Sequence, residues 1–278
     1  MVALSDPAAQ YAIYRERRDR AVTAPQGNLA LVTTQWVVGE VSSAHTVSGV
    51  PGSWSPLPSD NSGLLVTATS AANIRVDGVV VDGSAVVRGK DSDEPSEVVF
   101  SDTVTGFVIA NDQGEYALRV WDSHSTGIRE FGMIDSFPFD PDWVIEATFV
   151  PNDGRLTLGI EHLKDNGKTR SKVVPGDISF QRNGVDFSVA AFKEGSALLL
   201  VFADATSGSS TYSVGRFMLV APNADGTITL DFNRAYLPPC AFSMSFNCPI
   251  PPRQNRFPFA VEAGEKNVLN RSGGLLHE

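Results

Sequence analysis

Two periodicities run along this chain, a short helical one and a long strand-like one. From Asp6 to Val22 the apolar residues Ala8, Tyr11 and Tyr14, continued by Ala21 or Val22, are spaced to share one face of a helix. Asp6 is placed to cap that helix, and Pro7 to take its first position, where no backbone N–H is needed. Glu16 and Arg20 are spaced for an i,i+4 pair, and Pro25-Gln26-Gly27 ends the element. From Leu29 onward the pattern has period two. Strands are predicted at Leu29–Val38, Leu64–Thr69, Ile74–Val76, Val79–Val81, Ala85–Arg88, Phe107–Ala110, Tyr116–Trp121 and Trp143–Val150. They continue at Leu156–His162, Ile178–Gln181, Val185–Phe192, Leu198–Phe202, Tyr212–Val220, Thr227–Asn233 and Phe257–Val261. Trp54 falls in a loop or edge strand over Pro51–Pro58. Asp77-Gly78, Asn111–Gly114, Asn183-Gly184 and Asn223–Gly226 are the turn signals between them. Leu198–Phe202 is continuously apolar, which marks a strand buried on both faces.

Many short strands with close turn signals and one terminal helix predict a mainly β fold: an antiparallel β-barrel or sandwich with one N-terminal helix. No polar low-complexity linker and no internal repeat interrupts the pattern. The expectation is a single β domain over residues 1–278, with a helix at about 6–22, a β core at about 29–261 and a C-terminal tail at 262–278. A division into two β subdomains near Pro138–Pro141 is the alternative.

One stretch breaks the alternation. Asp231–Asn255, DFNRAYLPPCAFSMSFNCPIPPRQN, opens as a strand and then becomes Pro-rich. Pro238, Pro239, Pro249, Pro251 and Pro252 exclude a helix or central strand. Tyr236, Phe242, Met244, Phe246 and Ile250 are too apolar for a flexible linker, so the stretch reads as an ordered, packed C-terminal loop. With it go A-G-E-K at 263–266, D-A-T-S-G-S-S-T-Y at 204–212, Gly215-Arg216 and, more loosely, L-A-L-V…W at 29–36. Together these residues resemble the family called domain of unknown function 1684, across nearly the whole chain. The resemblance implies a bacterial or archaeal protein and brings no activity with it.

Composition narrows the partners. A net charge of −10 argues against general affinity for nucleic acid or anionic membranes, so neither is expected as a partner. The one dense basic run, Arg15, Arg17, Arg18 and Arg20, reads as a solvated helix face. The N-terminus lacks a basic start followed by an apolar core, and no apolar run approaches a membrane span, so a cytoplasmic protein is expected. The pattern implies no oligomeric state.

Candidate chemistry gathers near the C-terminal loop. Cys240 and Cys248 do not have the C-x-x-C spacing of zinc or redox sites, and His45, His124, His162 and His277 lie in unrelated segments. Buried packing, a disulfide and a reactive thiol all remain open for the two cysteines, and neither a metal nor a cofactor is predicted. On the predicted strand Tyr212–Val220, Arg216 shares a face with Tyr212, Val214 and Met218; Arg119 shares one with Ala117 and Trp121. Such an arginine either lines a polar cavity or forms a buried pair with a carboxylate, for which Asp231, Asp204 and Glu265 are the candidates. Asp204 and Thr206 are placed to cap their own turn; Asn255, Cys248 and Glu265 are placed to anchor the loop.

The leading expectation is therefore a small-molecule binding protein with a pocket under the 231–255 loop. Arg119 and Arg216 would favour an anionic ligand, with Tyr212, Asn233 and Asn255 as polar contacts. An enzyme in that pocket is the second reading, with Asp231 as acid or base, Cys240 or Tyr212 as auxiliary and Arg216 as the clamp for developing negative charge. In the third the motif is purely structural and interactions lie elsewhere.

Overall fold

In the computed structural model, residues 6–41, 43–58 and 60–277 are described; the leader reading at residues 1–5 and the last residue of the predicted tail fall outside them. The chain divides into two compact units, Arg20–Glu130 and a discontinuous one made of Met1–Asp19 with Phe131–Glu278. The helix α1 (Pro7–Val22) starts as predicted, with Ala8 N–H donating to Asp6 Oδ1 at 3.1 Å. Among the described residues no helix is long and apolar enough to cross a membrane.

In the Arg20–Glu130 unit the strands are β1 (Leu31–Val37), β2 (Ser53–Pro56), β3 (Leu64–Ala68), β4 (Arg75–Val76), β5 (Val79–Val80), β6 (Gly83–Val87), β7 (Val98–Val99), β8 (Val104–Ala110) and β9 (Tyr116–Asp122). They build a six-stranded sheet, β1-β9-β8-β7-β4-β5, and a three-stranded one, β2-β3-β6. The inward alternation buries Trp54, Leu64, Val66, Ile74, Val87, Val108 and Leu118 in one core. Asp77 and Gly78 both have positive φ, as the tight β4–β5 turn requires. A short helix, α2 (Thr126–Glu130), was not predicted; Ser125 caps it through Ile128 N–H at 3.1 Å.

The second unit carries β10 (Phe131–Ser136), β11 (Val144–Pro151), β12 (Thr157–Glu161), β13 (Thr169–Val173), β14 (Gly176–Arg182), β15 (Val185–Glu194), β16 (Ala197–Phe202), β17 (Arg216–Val220), β18 (Thr227–Asp231) and β19 (Glu265–Asn270). Six of them form an antiparallel sheet in the order β17-β16-β15-β14-β11-β18. Its two edge strands are consecutive in the chain, so the sheet nearly closes on itself as a barrel. The interior is filled by rings: Trp143, Phe180, Phe202, Phe232 and Phe257 pack with Leu200, Met218, Ile228 and Leu230. A second core lies on the other face of β15–β17. There Ala190, Phe192, Val201 and Phe217 are covered by Ile160, Val174 and both cysteines. β16 is thus buried on both faces, as its unbroken apolar run predicts.

The predicted antiparallel β class, the N-terminal helix and the ordered Pro-rich loop hold; several boundaries do not. Phe257–Val261 is irregular, and the last strand is instead β19, inside the predicted tail. Phe257, Phe259 and Val261 had suggested a strand because they alternate, but they fill the barrel interior as an irregular segment. β17 begins at Arg216, not Tyr212. Gly215 has φ +106, and a Cβ there would lie 2.3 Å from Phe202 O, so only glycine fits the bend. Likewise β18 ends at Asp231, whose side chain caps a 3-10 turn over Phe232–Arg234, so Asn233 does not share its strand face. The helix stripe differs too: Ala8 is exposed, while Arg15 and Arg18 join Tyr11 and Tyr14 on the inner side.

Candidate functional site

Arg216 extends the inward parity of Met218 and Val220, which aims a guanidinium into an apolar barrel; it has no exposed surface. Its charge is answered from the segments that close that end. Nη2 donates to Asp204 Oδ2 at 2.7 Å and to Val261 O at 2.8 Å, and Nη1 donates to Ala263 O. Burial pulls its pKa below the ordinary arginine range, and the Asp204 charge and hydrogen bond oppose that shift. The other oxygen of Asp204 accepts from Thr206 N–H (2.8 Å), Thr206 Oγ1 (2.6 Å) and Val261 N–H (3.1 Å). Asp204 caps its own turn through the Thr206 N–H, and the Thr206 hydroxyl donates back to the same carboxylate. Of the three candidate carboxylates, Asp204 is the one that pairs with Arg216.

Glu265, equally buried, receives the helix. Its Oε1 accepts from Arg18 Nε at 2.8 Å and Arg15 Nη1 at 3.3 Å; Oε2 accepts from Arg18 Nη2 at 3.0 Å and Leu237 N–H at 2.7 Å. The basic run is therefore not simply a solvated face: two of its arginines turn inward to one carboxylate. Burial alone would lower the Arg18 pKa, but the Glu265 hydrogen bond and charge leave it raised.

The two asparagines satisfy backbone where regular pairing stops. Asn255 is wedged between β15 and β16 beyond the Ala191↔Leu200 pair. Its Nδ2 donates to Ala190 O and Val201 O, both at 2.8 Å, and its Oδ1 accepts from Ala190 N–H at 2.9 Å. Asn233 Oδ1 accepts from Asp140 N–H at 2.9 Å, and its Nδ2 donates to Asp140 O at 2.9 Å. Arg119 lies on β9, in the Arg20–Glu130 unit, opposite Thr34 and Phe107.

Both cysteines are thiols outside any disulfide, buried in the outer core. Cys240 N–H donates to Cys248 Sγ at 3.2 Å, and Tyr212 packs against the same cluster. This grouping was invisible in the sequence because Tyr212 reaches it from a turn rather than from a strand. His162 also approaches in the fold: its backbone bridges Pro249, next to Cys248.

Asp231 faces a different feature. β17 and β18 are tied at one end by Asn223 N–H to Thr227 O (2.8 Å) and at the other by two 2.8 Å bonds between Phe217 and Tyr236. Between those ties they part into a cleft of about 340 Å³, lined by Met218, Leu219, Val220, Ala221, Thr229, Asp231 and Arg234. Arg234 Nε lies 3.2 Å from Asp231 Oδ2, and the arginine side chain is half exposed. A shallow trough of about 510 Å³ lies on the sheet's solvent face, lined by Glu146, Thr148, Ser179, Gln181, Asp186 and Ser188, without a cation. Among the described residues no group of three or more His, Cys, Asp or Glu side chains is arranged to hold a metal ion.

The profile of the family described as "Protein of unknown function (DUF1684)" matches residues 129–266. The chain belongs to that family. One solved relative is an uncharacterised protein of Haloarcula marismortui, known from its solution NMR structure. It is 35% identical over 49% of this chain and 77% of its own, with a TM-score of 0.41. No protein with a curated description matches the chain.

Proposed function

We propose that this protein binds a small anionic molecule in the cleft at the barrel seam, with a cytoplasmic location as part of the same reading. The observation that carries the proposal is the parting of β17 and β18. The cleft has an apolar wall, Met218 to Ala221, and one convergent charged pair, which is the composition of small-ligand sites. Arg234 supplies the half-exposed guanidinium for a carboxylate or phosphate, and Thr229 a hydroxyl beside it. The loop residues first expected to contact ligand are engaged otherwise. Arg216, Asn233 and Asn255 each hold backbone or an internal carboxylate, which supports a structural role for that motif. An acid–base role for Asp231 would sit in the same cleft. Its Oδ1 already accepts from Asn233 N–H (3.1 Å) and Nδ2 (3.0 Å), and its Oδ2 faces Arg234, so binding is the better supported reading.

A thermal-shift screen of small carboxylates and phosphates tests this. A hit should lose its stabilisation in Arg234→Gln and keep it in Gln181→Ala; a ligand at 100 times its Kd adds about 2.7 kcal/mol of stability. A hit indifferent to Arg234→Gln but lost with Gln181→Ala moves the site to the trough and overturns the seam assignment.

A further inference from the structure

Two nucleophilic side chains take no part in the Asp204–Arg216 cluster or the seam. Cys240 sits in the 3-10 turn Pro239–Ala241, and Cys248 just before the second proline run. The fold packs both cysteines in one core and brings the Cys240 backbone N–H to 3.2 Å from Cys248 Sγ, which packing of two small apolar residues does not require. Cys248 Sγ faces a donor, the Cys240 N–H, and Tyr212 packs against the same cluster. The segment between them carries Met244, 70% exposed, and is tied to the β12–β13 hairpin by surface bonds. Lys164 Nζ donates to Met244 O, Lys164 N–H to Asn247 Oδ1 at 2.9 Å, and Asn247 Nδ2 to Asp165 Oδ1 at 2.9 Å. Reaching the thiols requires local opening of this segment, which also draws the buried Phe242 out of its packing.

We propose that Cys240 and Cys248 are a redox-active dithiol in which Cys240 attacks a small-molecule disulfide and Cys248 resolves the adduct. In the first step the Cys240 thiolate bonds to one sulfur of the disulfide R–S–S–R. That S–S bond breaks, and one RS⁻ leaves and takes a proton from water. In the second step Cys248, its proton lost to solvent, bonds to Cys240 Sγ and expels the second RS⁻. Two protein thiols are oxidised by two electrons, and one disulfide is reduced to two thiols. Cys240 is the attacking member because the Cys248 hydrogen bond holds its pKa below the usual thiol range. Burial opposes that shift, and Tyr212 and the Lys164 charge reinforce it. Tyr212 acts as a donor: burial, then the neighbouring Cys240 charge, push its own pKa up. The product is uncharged, which suits the apolar core it forms in.

The test uses the native full chain and oxidised glutathione, read by intact mass and thiol count. Expected is loss of both thiols together, a mass lower by two hydrogens, no lasting adduct, and recovery with dithiothreitol. Cys248→Ser should stall as a single glutathione adduct on Cys240, whereas Cys240→Ser should react at least about tenfold more slowly. Tyr212→Phe, in the Cys248→Ser background, should move the midpoint of iodoacetamide labelling to higher pH, which a packing role would not do. Circular dichroism checks that each variant folds, with Cys248→Ala as the substitute. Should neither fold, the wild-type mass decides. The proposal falls if the native chain keeps both thiols in a buffer that oxidises the urea-unfolded chain. It falls equally if the adduct forms on Cys248 and not on Cys240.

Discussion

Arg216 is the costliest side chain to bury in the barrel, and it is there because every segment that closes that end points a carbonyl or carboxylate at it. Such a pair adds little over a well-packed apolar alternative, but removing one partner strands a charge away from water. Arg216→Ala is therefore expected to destabilise the protein by about 3–5 kcal/mol. Asp204→Ala should cost a similar amount and the double variant much less than the sum, since the two share one interaction. Asp231→Asn is the contrasting control: its partner Arg234 is half exposed, so the change should cost about 1 kcal/mol or less. Urea denaturation of these variants measures all four terms. Additive losses for Arg216 and Asp204 would remove the paired-charge account.

Among the elements, the hairpin β12–β13 and the Pro-rich loop meet at Asp165. Its carboxylate takes two bonds from Arg170 and one from Asn247, all at 2.9 Å, with His162 Nδ1 at 3.4 Å. Burial by itself would raise the pKa; the Arg170 and Asn247 hydrogen bonds outweigh it and hold the group below the usual aspartate range. The folded state therefore binds this proton less readily than the unfolded chain. The resulting stability is complete above the unfolded value of about 3.9 and is lost as pH falls through the lower folded value. Asp165→Asn should lower the urea midpoint at neutral pH by the equivalent of less than about 1 kcal/mol. The gap to wild type should close by about pH 2. An equal gap at both pH values would rule out the ionised carboxylate as its source. The elements also mark what periodicity can and cannot convey. β14 and β15 were legible because their alternation is clean and Asn183-Gly184 demands positive φ, which both residues adopt. β10, β13 and β19 were missed because sequences such as Thr-Arg-Ser-Lys-Val carry too few apolar positions to show a period. The buried Arg216–carboxylate pair was legible as one alternative, though not which carboxylate answers it; the contacts of Asn233 and Asn255 were not, since their partners are backbone groups that only tertiary folding brings near.

For the whole molecule, the decisive contact is between segments far apart in the chain. Glu265 is buried at 1% exposure, and the arginines that answer it, Arg15 and Arg18, come from the N-terminal helix. The unit built on Phe131–Glu278 therefore depends on Met1–Asp19 for its electrostatic balance as well as for apolar cover from Tyr11 and Tyr14. This dependence makes a prediction whose sign changes with context. In the intact chain Glu265→Gln removes the acceptor of two arginines and should destabilise, because a neutral amide cannot compensate their buried charge. In a chain lacking residues 1–19 the carboxylate keeps the Leu237 N–H but loses both cations, and that truncation should cost about 3–5 kcal/mol. There the same Glu265→Gln substitution should stabilise: the amide oxygen can still accept from Leu237 N–H, and no unpaired charge remains in the core. Chemical denaturation of the four proteins, followed by circular dichroism, reads the cycle. Opposite signs in the two backgrounds would establish that the helix is held through Glu265. The same destabilisation in both would mean that Glu265 serves the Leu237 turn alone, and that α1 is attached by its tyrosines.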